Sequence, residues 1–283
     1  MMLITTDELN AHLNDPDWVV FDCRHDLIDT AKGERVYGEG HIPGAFLAGI
    51  DRDLSGRKVP GGGRHPLPDK RDFLAFLARC GVTPSSTIVA YDDAGGFFAA
   101  RLWWMLSRWL GHKRVGLLDG GIVRWKSQNR KLSMDAPSPK VNPAMDRAAN
   151  SDASVSVDEL VSHLGDGKLL VVDARSGDRY RGEVEPMDRV AGHIPGAVSR
   201  VFKANLNADL TFRPRNELRR EFEELIKSHA PASVVHQCGS GITSCVNLFA
   251  MELAGLTGSR LYVGSWSEWV ADPARPVAVG ASA

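Results

Sequence analysis

The chain has 283 residues, 43% of them hydrophobic and 24% charged, and a formal net charge of −1. Ordinary globular composition with near-neutral charge argues against a nucleic-acid partner or an anionic-membrane partner, and no apolar run approaches the roughly 20 residues that span a bilayer. Four cysteines (Cys23, Cys80, Cys238 and Cys245) are too few for a disulfide scaffold at this length and suit a reducing, cytoplasmic setting.

The opening MMLITTDELNAHL carries acids and lacks a basic-then-apolar signal, so secretion is not expected. WVVFDCR (18–24) is an apolar run suited to a strand covered on both faces, and GEGHIPGAF (38–46) follows as a Pro/Gly turn. A second strand pattern, TIVAY (87–91), leads into the glycine-bearing DDAGGFF (92–98), and LLDGGIVRW (117–125) comes next. Residues 133–152, with Pro137, Pro139 and Pro143 and no apolar period, read as an extended linker.

The second half repeats the first. LLVVDAR (169–175) answers WVVFDCR, VAGHIPGAV (190–198) answers GEGHIPGAF, SVVHQCGSGIT (233–243) answers STIVAYDDAGGFF, and LYVGSWSEW (261–269) answers LLDGGIVRW. Two long copies imply two domains, 1–132 and 153–283, joined by the linker. Strands alternating with amphipathic stretches predict an α/β fold in each, a parallel sheet with helices on both faces. In the second copy Val246, Phe249, Ala250 and Leu253 fall on one face of a predicted helix.

Duplication separates scaffold from chemistry. The GHIPGA turns with His41 and His193, and the pairs Asp22/Arg24 and Asp173/Arg175, occur in both copies and read as framework. The thiol occurs once: Cys238 follows the strand SVVHQ, at the carboxyl edge where open α/β sheets hold ligands, whereas Asp92 stands in its place in the first copy. Consecutive main-chain N–H groups closing onto a helix N-terminus form an anion nest, so the Cys238 pKa is expected below the ordinary thiol value. Gly239 and Gly241 let the chain curl around the sulfur. The alternative, a small buried hydrophobe, suits Cys23, Cys80 and Cys245. A Cys238–Cys245 redox pair is disfavoured by seven intervening helical steps, about 10 Å.

These motifs, GHIPGA, DAR, CGSGIT (238–243) and GSWSEW, duplicated with the thiol only in the second copy, resemble the tandem rhodanese-domain sulfurtransferases. The resemblance implies transfer of a sulfur atom through a Cys238 persulfide to a nucleophilic acceptor such as a thiol (thioredoxin) or cyanide, with no cofactor. The CGSG loop is similar to that of the 3-mercaptopyruvate branch; thiosulfate-using members carry basic residues after the Cys. On this reading the loop residues Gly239, Gly241, Ile242 and Thr243 and the side chain of Arg179, in GDRYRGEVEP (177–186), bind the donor. The catalytic set is Cys238, Ser240, His65 from GGGRHPLPD and Asp51 from GIDRD, the last three forming a proton relay that draws on both copies. The family's second Arg position reads Met187 here, and Arg189 is the candidate substitute. The blander readings are a solvent-facing Arg179, a turn-capping Asp51 and a His65 that decorates its loop.

Three other readings compete. A phosphatase built on a nest-held Cys needs an Arg six positions on, where this chain has Ser244. A thiosulfate:cyanide transferase differs only in donor. A non-catalytic sulfur carrier or binding module would use the same fold without turnover. No zinc-type Cys/His spacing or GxGxxG motif is present.

Overall fold

The computed structural model describes residues 2–138 and 146–281, so Pro137 is described whereas Pro139 and Pro143 of the expected linker lie outside the described residues. The chain forms two compact units. Described residues within Met1–Gly56, Leu67–Asn150 and Asn207–Phe212 make the first, and those within Arg57–Pro66, Ser151–Leu206 and Arg213–Ala283 make the second.

The first unit contains β1 (Leu3–Ile4), α1 (Thr6–Ala11), β2 (Trp18–Asp22), α2 (Lys32–Glu39), β3 (Phe46–Leu47), α3 (Lys70–Arg79), β4 (Thr87–Tyr91), α4 (Ala99–Trp104), β5 (Val115–Leu118) and α5 (Gly121–Ser127). The second contains β6 (Ser154–Val155), α6 (Val157–Ser162), β7 (Leu170–Asp173), α7 (Gly177–Arg181), β8 (Val198–Ser199), α8 (Arg215–Ile226), β9 (Val234–Gln237), α9 (Ser244–Leu253), β10 (Arg260–Tyr262) and α10 (Ser265–Trp269). Each sheet has five parallel strands, ordered β1-β5-β4-β2-β3 and β6-β10-β9-β7-β8. The two orders are the same topology, as the duplication requires. The central strands β4, β7 and β9 are buried throughout, which explains their unbroken apolar runs.

Local signals repeat as well. The Thr5 side chain accepts from the Glu8 N–H at the start of α1, and Ser156 accepts from the Glu159 N–H at the start of α6, so each copy opens on the same N-cap. Arg24 Nη2 lies 2.6 Å from Asp22 Oδ2 and donates to the Gly40 carbonyl; Arg175 repeats this with Asp173 and Gly192. These buried pairs tie the strand end to the GHIPGA turn. His41 and His193 bond the Tyr37 and Tyr180 carbonyls through Nδ1 and stack on those rings.

One expectation changes on contact with the structure. The helix α9 is not amphipathic: every residue from Ser244 to Met251 is buried, because α9 is packed on more than the single face expected. Within the stretch read as linker, Ser133 bridges His41 and the Asn150 N–H donates to the Trp109 carbonyl at 2.8 Å, so both residues are held by the first unit.

Candidate active site

Strand β9 ends at Gln237, and the next residue is Cys238, followed by five loop residues before α9 begins at Ser244. The loop is held from beneath by GSWSEW. The Cys238 N–H donates to Ser265 Oγ at 3.2 Å, and the N–H groups of Trp266 and Ser267 donate to the carbonyls of Cys238 and Gly239, each at 3.0 Å. Gly241 has φ of +77°, and a Cβ there would sit 2.3 Å from the Val263 carbonyl oxygen. Only glycine allows both the left-handed turn and this close approach.

Cys238 is 2% exposed, a value that alone would fit an inert buried thiol. Its surroundings decide otherwise. Burial opposes the thiolate, but the hydroxyls of Thr243 and Ser244 and the main-chain amides of Ser240 and Ser244 outweigh it, and the pKa is lowered. Cys23 and Cys80, equally enclosed, go the other way: burial drives the Cys23 thiol far up and Cys80 to about 12. Cys245 is fully buried, and its Sγ lies 3.5 Å from the Gly241 carbonyl.

The first copy supplies a control. Its loop wraps the Asp92 carboxylate, which accepts from the N–H groups of Ala94, Gly96, Phe98 and Ala99 at 2.8–2.9 Å. The nest architecture is thus retained but filled by the protein's own anion. Positions equivalent to Thr243 and Ser244 are Phe97 and Phe98, so the silent loop also lacks the two hydroxyls. There burial prevails, and the Asp92 carboxyl is raised despite four amide donors.

His65 lies in the segment Arg57–Pro66, which belongs to the second unit although it is encoded within the first copy. The Arg64 N–H donates to Ser267 Oγ at 3.0 Å, and Gly63 packs on the Gly264 main chain so closely that a Cβ would meet its carbonyl oxygen at 2.7 Å. The segment therefore delivers His65 Nδ1 to 2.8 Å from Ser240 Oγ, both side chains buried. Asp51 lies in the first unit, where its carboxylate is 3.5 Å from His25 Nε2 and lines a cleft with Arg24, Glu34 and Arg52.

Arg179, on α7, donates to Glu185 through Nη2 at 2.5 Å and Nε at 3.2 Å. It is one-fifth exposed, and its guanidinium lies over the loop, with both terminal nitrogens about 3.5 Å from where a Gly239 Cβ would be (3.5 and 3.6 Å). Glu185 also bonds Arg175 and the N–H groups of Met187 and Asp188; burial pushes its carboxyl up, but Arg179 and those two amides outweigh it and hold it below the ordinary value. Ile242 and Thr243 are buried in the loop wall. Met187 and Arg189 are exposed. Sequence reasoning missed Arg64, Glu185 and Asp188. The charge-dense EVEPMDR stretch was the available signal for the acids, but nothing local connects it to Arg64.

A family model described as the rhodanese-like domain matches residues 5–128 and again 156–272. The chain belongs to the rhodanese-like family. A Pseudomonas aeruginosa protein named "Probable 3-mercaptopyruvate sulfurtransferase" is 47% identical, the match covering 98% of each chain. An Azotobacter vinelandii thiosulfate sulfurtransferase is 32% identical over 98% of this chain and 96% of its own. Among solved structures, a 3-mercaptopyruvate sulfurtransferase from Leishmania major superposes with a TM-score of 0.81 at 29% identity, covering 95% of this chain and 74% of that one. Both rhodanese-like domains therefore correspond to the two parallel sheets described above, and only the second carries the loop thiol.

The lowered thiol pKa is measurable. In iodoacetamide alkylation followed by peptide mass spectrometry, Cys238 is expected to react at a lower pH than Cys23 or Cys80, its rate rising as pH climbs through the depressed value. Modification of Cys238 no faster than Cys80 near neutrality would contradict a nest-stabilised thiolate.

Proposed function

We propose that this rhodanese-like chain is a sulfurtransferase that takes a sulfur atom from 3-mercaptopyruvate onto Cys238 and passes it to a thiol such as thioredoxin, or to cyanide. The observation that carries the reading is the Cys238 thiol, buried yet lowered in pKa by the hydroxyls and amides of its own loop. The Cys238 thiolate attacks the donor's sulfur, the carbon–sulfur bond breaks, and its electron pair leaves on carbon as the pyruvate enolate. The donor's S–H proton goes to that carbon, giving pyruvate and a Cys238 persulfide anion. No other proton enters or leaves. An acceptor thiolate then attacks the outer sulfur and restores the Cys238 thiolate.

The Ser240–His65 pair, in contact at 2.8 Å, is suited to carry the single proton from sulfur to carbon. Asp51 joins the set on the resemblance alone. Arg179 is suited to grip the donor carboxylate with two hydrogen bonds. Loop residues Gly239, Gly241, Ile242 and Thr243 shape the space around the sulfur. None of the four cysteines is in a disulfide, which suits a reducing cytoplasm. Among the described residues no helix is long and apolar enough to cross a membrane.

A second donor, thiosulfate, is favoured by the name of the Azotobacter relative. A donor panel read by pyruvate and sulfite release separates the two. Pyruvate release is expected to be the faster; much faster sulfite release would defeat the donor assignment. A chain that holds added sulfur on Cys238 but never turns over would be a carrier instead.

A further inference from the structure

Arg64 sits between two anchored neighbours. Its own N–H is bonded to Ser267, and His65 is bonded to Ser240, so the main chain there has little freedom. From this fixed point the guanidinium extends across Gly239: a methyl group at that glycine would lie 2.8 Å from Arg64 Nη2, on the same residue that Arg179 overhangs. Two guanidinium groups therefore converge beside the residue that follows the thiol.

Asp188 holds them together. Arg64 Nη1 donates to Asp188 Oδ1, and Arg179 Nη2 lies 3.5 Å from Asp188 Oδ2. The Asp188 side chain is 6% exposed, and burial pushes its carboxyl up. Arg64 Nε is buried without a hydrogen-bond partner among the described residues, as is Asp188 Oδ2, so hydrogen-bonding capacity at the loop mouth is unspent.

We propose that Arg64 is the second guanidinium of the donor site and that, with Arg179, it binds the carboxylate of a monoanionic 2-oxo-carboxylate donor, with Asp188 positioning the two. This rests on the reading of Cys238 as sulfur acceptor. Met187, at the position where the resemblance expects the second Arg, and Arg189 are both on the surface, and Arg64 fills the role from a distant part of the chain. The charge balance selects the donor. Glu185 and Asp188 offset the two guanidinium groups, leaving little net positive charge for a dianion. A single planar carboxylate needs only the fork of donors.

The test compares the unaltered chain with Arg64→Ala and Arg64→Lys, using 3-mercaptopyruvate and thiosulfate. Arg64→Ala is expected to raise KM for 3-mercaptopyruvate about ten-fold or more, as loss of a charge-assisted pair does, with a much smaller change in kcat. Arg64→Lys should recover part of that loss, and the thiosulfate reaction should suffer less. An unchanged KM overturns the assignment, as does a fall in kcat with KM intact, which would make Arg64 a mere support for His65. A larger loss with thiosulfate overturns it too. Loading of Cys238 from a neutral alkyl persulfide, read by mass, checks that the variant's thiol site is intact. No pyruvate from the unaltered chain defeats the functional reading itself; pyruvate formed with equal KM by both chains defeats only the role of Arg64.

Discussion

Replacing Cys238 by Ala is expected to abolish pyruvate release, by roughly a million-fold as removal of a covalent nucleophile does in other enzymes, while the protein stays folded. The fold survives because the side chain contributes one sulfur to a loop otherwise held by main-chain contacts to Ser265, Trp266 and Ser267. The donors that faced the thiolate lose their acceptor, a cost of about 1–3 kcal/mol when such groups stay buried. A companion variant follows from the first copy, where Asp92 fills the equivalent nest. Cys238→Asp should fold with a carboxylate among the same amides and be equally inactive. Pyruvate release by either variant above background, with circular dichroism unchanged, would mean that another nucleophile operates and that the persulfide scheme is wrong.

The second large effect concerns the proton. His65→Ala and Ser240→Ala are each expected to lower 3-mercaptopyruvate turnover by about 10²–10⁴, the range for a positioned acid–base group. Persulfide formation from thiosulfate, which has no S–H proton to relocate, should fall far less. The double variant should be little worse than either single one, since a relay broken once is already broken. Equal losses with both donors would assign the pair to shaping the loop rather than to proton transfer. Asp51→Asn belongs in the same series: a loss confined to 3-mercaptopyruvate supports its membership, and none removes it.

Much of the fold was legible because the duplication exposes it. WVVFD and LVVD, TIVAY and VVHQ are apolar strands repeated at matching places. Comparing the copies also singled out Cys238 against Asp92. The one-faced reading of α9 failed because periodicity marks the face that is certainly apolar and is silent about packing on the others. The segment Arg57–Pro66 was assigned by its place in the chain to the first copy, and nothing in GGGRHPLPD reveals that Gly63 packs on Gly264 of the second unit.

What the amino-acid order settled, then, is whatever depends on neighbours along the chain: strand and turn, helix cap, the Asp-x-Arg clasp, and a glycine-flanked thiol where a strand meets a helix. Contacts such as His65 to Ser240, 175 positions apart, and Arg64 to Asp188, 124 apart, belong to the packed structure alone. So does the direction of each thiol's acidity. Cys23 and Cys238 each directly follow a strand and both are buried, yet one faces carboxylates and the other faces hydroxyls and amides. A charge responds to every dipole within a few ångströms, whichever part of the chain supplies it, and that set exists only after folding.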